Sequence, residues 1–162
     1  MVSGPDFVRD MRSGEEEAVD VLLRTAFAGP QEADLVRALR KDRDMAGESV
    51  LAWQGDVVGY FALSHMRVPK GWLCLAPVAI RPDWQGKRQG QRMIGMLSEW
   101  ARISGCYVVV LGQVAFYERA GFLQVRAAQL DTPYPVGNTL LAGPGDDAPK
   151  ATLKYPKAFE GL

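Results

Sequence analysis

Apolar positions follow two rhythms along the chain. Between residues 16 and 27, Val19, Leu22, Leu23, Ala26 and Phe27 recur at the three-and-four spacing of an amphipathic helix. Ser13 precedes them as an N-cap with Glu16 at the capping-box position, and Gly29-Pro30 breaks the helix. The spacing resumes over 31–41, with Leu35, Val36 and Leu39 inward. A longer helix is predicted over 89–103, where Met93, Met96, Leu97, Trp100 and Ala101 form one stripe that ends at Ser104-Gly105. Alternating or continuous apolar runs predict strands at 49–53, 57–68, 72–80, 107–111 and 122–125, with a short edge strand at 7–12. Gln54-Gly55-Asp56 makes 49–53 and 57–68 a hairpin, bent near Ser64, and Pro69-Lys70-Gly71 turns the chain into 72–80. A short helix over 113–120 closes on Gly121 at its C′ position. Residues 131–147 are rich in Gly, Pro, Asn and Asp and read as a long loop interrupted by a strand at 139–142; the alternation over 150–155 is suited to closing the sheet.

The order of these elements predicts the architecture. Strands 72–80 and 107–111 flank the helix 89–103, so they form a right-handed β-α-β unit and run parallel, whereas the earlier hairpin strands are antiparallel. The class is therefore α/β (α+β), a mixed twisted sheet with flanking helices. With 162 residues and no repeat, linker or low-complexity tract, residues 1–162 read as a single domain.

Composition narrows the function classes. Apolar residues make up 48% and charged residues 23%, and nineteen bases balance nineteen acids, which speaks against nucleic acid or an anionic membrane as the main partner. No apolar run approaches the roughly 20 residues of a membrane span. The first eleven residues are charged and lack a signal-peptide core, so the expected location is the cytoplasm. Cys74 and Cys106 sit in apolar surroundings and read as buried thiols rather than as a disulfide or metal pair; a single histidine excludes a His-rich metal site.

The loop between strand 72–80 and helix 89–103 carries Gly86, Gly90 and the bases Arg81, Lys87 and Arg88. The first amides of a helix have no intrahelical partner and the helix dipole favours negative charge there, so a strand, a basic glycine-bearing loop and a helix start form an anion site. A phosphate-bearing cofactor is expected. The P-loop pattern Gly-x-x-x-x-Gly-Lys-Ser/Thr and the dinucleotide pattern Gly-x-Gly-x-x-Gly are both absent. Gln85-Gly86-Lys87-Arg88-Gln89-Gly90 instead resembles the Gln/Arg-x-x-Gly-x-Gly/Ala pyrophosphate loop of the GNAT superfamily of N-acetyltransferases. Arg88 stands where the middle glycine is usual; it can offer a backbone amide there provided its φ is negative.

A second piece follows in the order that family requires. Val114-Ala-Phe-Tyr-Glu-Arg-Ala-Gly-Phe122 is similar to the Phe-Tyr-x-x-x-Gly-Phe segment that comes after the second core strand. The likeness extends through residues 26–40, Leu75-Ala-Pro-Val-Ala-Ile80, Val110-Leu-Gly112 and Tyr155-Pro-Lys-Ala-Phe159, and resembles one bacterial branch of GNAT acetyltransferases, which often carry Asp-Pro where this chain has Gln113-Val114.

The resemblance implies a GNAT-like sheet whose parallel pair splays apart, with acetyl-CoA as cosubstrate and no metal. The pantetheine arm would pair with backbone groups of Val78, Ala79 and Ile80, and Pro77, lacking an N–H, suits an interrupted ladder. The pyrophosphate would lie against Gln85, Gly86, Lys87, Arg88, Gln89, Gly90 and Gln91, with Lys87, Arg88 and Arg92 adding charge. Tyr117 is the candidate donor to the leaving thiolate, since a tyrosine with a reference pKa of about 10 keeps its proton at neutral pH. A backbone N–H near Val78 would polarise the thioester carbonyl. The base is less defined. Strands 72–80 and 107–111 hold no carboxylate, so Glu32, His65 and a water relay all stay open. The implied activity is acetyl transfer to a primary amine of a small molecule or peptide, with no membrane partner and a homodimer left open. The alternatives are a non-catalytic acyl-CoA-binding module and an RNA-directed acetyltransferase.

Overall fold

The computed structural model describes residues 8–161. In chain order the elements are β1 (Arg9–Asp10), α1 (Glu16–Phe27), α2 (Gln31–Lys41), β2 (Met45–Trp53), β3 (Asp56–His65), β4 (Leu73–Ile80), α3 (Gln89–Ser104), β5 (Val108–Leu111), α4 (Val114–Arg119), β6 (Leu130–Asp131), β7 (Thr139–Ala142) and β8 (Ala151–Thr152). Six strands form one sheet in the order β1-β2-β3-β4-β5-β7, with β4 and β5 parallel and the other neighbours antiparallel. Short turns explain the early hairpin: Gln54 and Gly55 both take positive φ between β2 and β3, the geometry that matches strand twist.

Each face of the sheet is covered because the helices bury one stripe each. On one side Val19, Leu22 and Leu23 of α1 and Ala33 and Val36 of α2 pack on Val50, Tyr60, Ala62 and Ala79. On the other, Met93, Ile94, Leu97 and Ala101 of α3 pack on Leu51, Val58, Phe61, Leu75, Val108 and Val110. A third cluster brings Tyr155 and Phe159, near the C-terminus, against Leu35, Leu39, Cys74 and Val109. Among the described residues no helix is long and apolar enough to cross a membrane.

Several local expectations are corrected. The predicted edge strand 7–12 shrinks to β1; Phe7 lies outside the described residues. Ser13 is not the N-cap of α1. Gly14 takes φ +98 and Glu15 occupies the cap, its carboxylate accepting from the Arg12 N–H at 2.6 Å and from Arg9 at 2.8 and 2.9 Å, while Glu16 reaches back to the Gly14 N–H. Acidic side chains thus satisfy donors ahead of the helix, while no side chain caps its first amides, the role expected of the Ser13 hydroxyl. On α3, Met96 and Trp100 are 44% and 46% exposed and Ile94 is buried in their place, because the arc facing the sheet is centred between positions 93 and 94. Residues 122–125 contribute one bridge, Leu123 to Leu141, before a 3₁₀ turn over Val125–Ala127. Residues 150–155 do not close the main sheet: β8 pairs in parallel with β6 in a separate two-stranded ladder. Cys74 is buried but Cys106 only half-buried, and both are free thiols.

Candidate active site

The site starts from a mismatch in strand length. β4 has eight residues and β5 four; their parallel pairing runs only over Leu73–Val108, Cys74–Val109 and Leu75–Val110. Beyond Leu75 the β5 side of β4 is open. A register shift between Phe61 and Leu63 on β3 places one extra residue in β4 around Ala76-Pro77, which reverses the side to which alternate backbone groups point. Leu73 N–H bonds Tyr107 on the β5 side, whereas Arg81 N–H bonds Val58 on the β3 side. With Ala79 opposite Tyr60 in that same ladder phase, Ala79 turns its N–H and C=O to β3, and Val78 and Ile80 turn theirs to the open edge. Of the three residues expected to pair with a pantetheine arm, Ala79 is therefore withdrawn; its side chain is also buried against α1 and α2. The Ile80 carbonyl on that edge already accepts the Gln85 side-chain amide at 2.8 Å, which fixes the start of the loop.

The loop then delivers unpaired amides. Gly86 takes φ +77 with open space around a built Cβ, and Arg88 is the residue before α3, with no side chain capping the helix. The first amides of α3, from Gln89 to Gln91, thus have no intrahelical acceptor and face a cavity of about 640 Å³. Gly90 is small for a packing reason: a Cβ there would meet Phe116 Cζ at 3.3 Å and Ile80 Cγ1 at 3.4 Å. The bases behave differently from expectation. Arg81 is engaged by Asp83 at 2.6 Å and Asp56 at 3.6 Å. Lys87 lies 5.1 Å over the Trp84 ring and does not line the cavity, whereas Arg88 does. Arg88 has φ +61 and ψ 15, so the negative φ required of it is not met: the chain turns there as it would at glycine, in a conformation that costs other L-residues about 1–2 kcal/mol. Arg88→Gly is expected to raise the melting temperature by about 2–4 °C, the effect of roughly 1 kcal/mol in a chain of this size. Arg88→Ala, which keeps the strain, should show no rise in thermal unfolding, and equal melting temperatures for the two variants would mean the turn is unstrained.

Tyr117, on α4, lines the same cavity. Its ring meets Phe116 and Phe122 edge-on at centroid distances of 4.9 and 6.1 Å. Gly112 admits it, since a Cβ at residue 112 would come within 2.6 Å of Tyr117 Cε2. Burial pushes the Tyr117 hydroxyl up to about 12, so it holds its proton firmly. A second cavity of about 420 Å³ adjoins the first, and the residues common to both linings are Phe27, Val78 and Tyr117. Glu32, in the first turn of α2, lines this second cavity; His65 does not, and instead sits in a separate surface depression with Asp44, Arg67 and Lys70. Phe116, which also packs against the core, lines the first cavity, and Trp84, Phe27, Gly112 and Arg119 join it without having been singled out. The only sequence signals for them were their positions beside the two motifs and at the end of α1.

The arrangement has the features an acyl-CoA requires: an open strand edge for an extended arm, an uncapped helix start for phosphates, and a proton-holding tyrosine where the two cavities meet. Among the described residues no group of His, Cys, Asp and Glu is placed to hold a metal ion.

Comparison with known proteins agrees with this geometry. The model of the acetyltransferase (GNAT) family matches residues 16–122. An uncharacterised N-acetyltransferase of Escherichia coli K12, YjhQ, is 35% identical over 121 residues, which span 68% of this chain and 66% of that protein. The structure of the GNAT-family N-acetyltransferase YhbS from E. coli in complex with CoA superimposes with a TM-score of 0.85 at 25% identity, covering 99% of this chain and 96% of that one. A GNAT-family acetyltransferase from Brucella melitensis in complex with acetyl-CoA gives 0.77 at 25% identity, covering 94% and 97%.

Proposed function

The chain belongs to the GNAT family of acetyl-CoA-dependent N-acetyltransferases, and we propose that it transfers the acetyl group directly to a primary amine of a small molecule or peptide. The observation that carries this reading is the junction of the two cavities at Val78 and Tyr117. One cavity has the strand edge and helix start suited to acetyl-CoA, and the other leaves room for an acceptor. When bound, acetyl-CoA supplies a thioester carbonyl already activated toward amines. The Val78 N–H, turned to the open edge, is placed to donate to the carbonyl oxygen as charge develops on it. Tyr117 gives its proton to the departing sulfur and recovers one that leaves the amine nitrogen, so that the carbon–sulfur bond breaks as the carbon–nitrogen bond forms. Gln85, Gly86, Gln89, Gly90 and Gln91 hold the phosphates; Arg88, whose positive φ takes it out of the amide role, adds charge from the cavity lining, and Lys87, over the Trp84 ring, adds charge from outside the cavity. Two free thiols fit a reducing cytoplasm.

The test combines binding with turnover. Acetyl-CoA is expected to raise the melting temperature well above the effect of NAD or ATP, since a ligand that binds only the native state stabilises it by mass action. Free thiol should then be released when amines are added. Equal stabilisation by all three nucleotides would remove the proposed cofactor site. Stabilisation by acetyl-CoA with no thiol release across a broad amine panel would identify a non-catalytic acyl-CoA-binding module.

A further inference from the structure

The second cavity has a composition that restricts its occupant. Glu32 is its one charged side chain among the described residues, and no Lys, Arg or His lines it. The remaining wall is uncharged and mostly apolar: Leu35, Leu75, Pro77 and Leu111 on the sheet and α2 side, and an aromatic group that includes Tyr117, Tyr134 and Tyr155 on the other. In that group Tyr134 meets Tyr155 edge-on at 4.9 Å, and Tyr155 lies 5.6 Å from Phe159. The Tyr155 hydroxyl is shielded from solvent and has no hydrogen-bond partner among the described residues, a neutral polar atom beside an otherwise apolar wall. Glu32 and Phe27 flank the Ala28-Gly29-Pro30 turn between α1 and α2, and Phe27 and Tyr117 belong to both cavities.

From this lining we infer that the acceptor is a primary amine on an uncharged apolar body, of the arylalkylamine or alkylamine type, with no acidic group beside the amine. The inference rests on the acetyl-transfer reading of the same site. An ammonium entering this cavity finds one carboxylate, Glu32, and aromatic rings whose faces attract cations. The apolar body gains by burial against the leucines and aromatics. An acceptor carrying its own carboxylate or phosphate would bring a charge to a wall that has no cation to meet it, beside an existing carboxylate. A polyamine would leave its further ammonium groups against apolar surface. The volume, about 420 Å³, sits at the small end of small-molecule sites and suits a body of one ring or a short alkyl chain. Glu32 accepts one proton from the ammonium and releases it to solvent. The nitrogen then attacks the carbonyl carbon, the carbon–sulfur bond breaks, and the second proton reaches sulfur through Tyr117, so that amine and thioester become amide and thiol with one proton released.

The experiment uses the intact chain with phenethylamine, hexylamine, phenylalanine, spermidine and glucosamine as probes. Thiol release is expected with a kcat/KM for phenethylamine about 100-fold above that for phenylalanine, and at least roughly tenfold above spermidine and glucosamine. Phenethylamine should bind the enzyme–CoA complex by calorimetry. Glu32→Gln should weaken that binding about tenfold with unchanged CoA affinity, and Glu32→Asp should recover part of it. Turnover of phenylalanine or spermidine equal to or above that of phenethylamine would overturn the inference. So would failure of phenethylamine to bind the CoA complex, or unaltered binding in Glu32→Gln. In each of these cases acetyl-CoA binding and transfer to another amine would leave the acetyltransferase reading standing. Failure of acetyl-CoA itself to bind would overturn both.

Discussion

Replacing Tyr117 with Phe is expected to lower kcat by about 10²–10⁴-fold, the usual range for a lost general acid, with acetyl-CoA affinity nearly unchanged. The variant keeps the ring, so the edge contacts with Phe116 and Phe122 and the fit against Gly112 persist and folding is preserved. It removes the hydroxyl of a residue that lines both cavities. The pH dependence carries a second signature. Burial raises this hydroxyl from about 10 to about 12, so the donor form persists well above the pH at which an ordinary tyrosine would have lost half of its protons. The wild-type rate should therefore show no alkaline limb with a midpoint near pH 10. Steady-state turnover on any accepted amine, beside calorimetric binding of acetyl-CoA, measures both. A Phe variant within about threefold of wild type would make Tyr117 a packing aromatic and leave the thiolate to solvent for its proton.

The second large effect is expected at Gly90. Gly90→Asp should weaken acetyl-CoA binding by at least about 100-fold, which is close to 3 kcal/mol. Two causes add. The new Cβ must displace Phe116 or Ile80 by a few tenths of an ångström, since it would lie 3.3 and 3.4 Å from them. The carboxylate also sits in the first turn of α3, where it accepts hydrogen bonds from the amides that the proposed pyrophosphate site uses and satisfies the helix dipole from within. That self-capping keeps the variant folded, so the loss reads as lost binding and not as unfolding. Gly90→Ala separates the two causes: it brings the crowding without the charge, and should weaken binding by a smaller factor. Calorimetry with circular dichroism as a folding control measures both variants. Unchanged affinity in Gly90→Asp would remove this loop from the cofactor site.

That Gly90 and Tyr117 line one cavity was legible in the chain because their signals are local. Gly90 belongs to a contiguous stretch in which a strand, a polar loop and a helix follow one another, and Tyr117 belongs to another just after a continuous apolar strand. The parallel relation of β4 and β5 was equally readable, since a helix of that length between two strands permits one handedness of crossover. The departures lie where a residue's role depends on a partner distant in sequence. Ala79 falls within the motif strand, yet the extra residue near Ala76-Pro77 turns its backbone to β3, and that register shift arises from pairing with Phe61 and Leu63. Lys87 and Arg88 are adjacent bases, but a ring at Trp84 holds one outside the cavity while a left-handed turn carries the other into it.

Between Glu32 and His65, periodicity offered no basis for choice. Packing of the α1–α2 corner over the end of β4 puts Glu32 in the lining of the second cavity and leaves His65 at the far end of β3, in a separate depression. Local periodicity and contiguous motifs determined the helices, the strands β2 to β5, their order and the glycine-bearing loop ahead of α3, because each is encoded within one or two turns of chain. The tertiary structure alone decided which backbone groups stay unpaired and which carboxylate lines the second cavity, because hydrogen-bond register and burial are set by contacts between segments far apart in sequence.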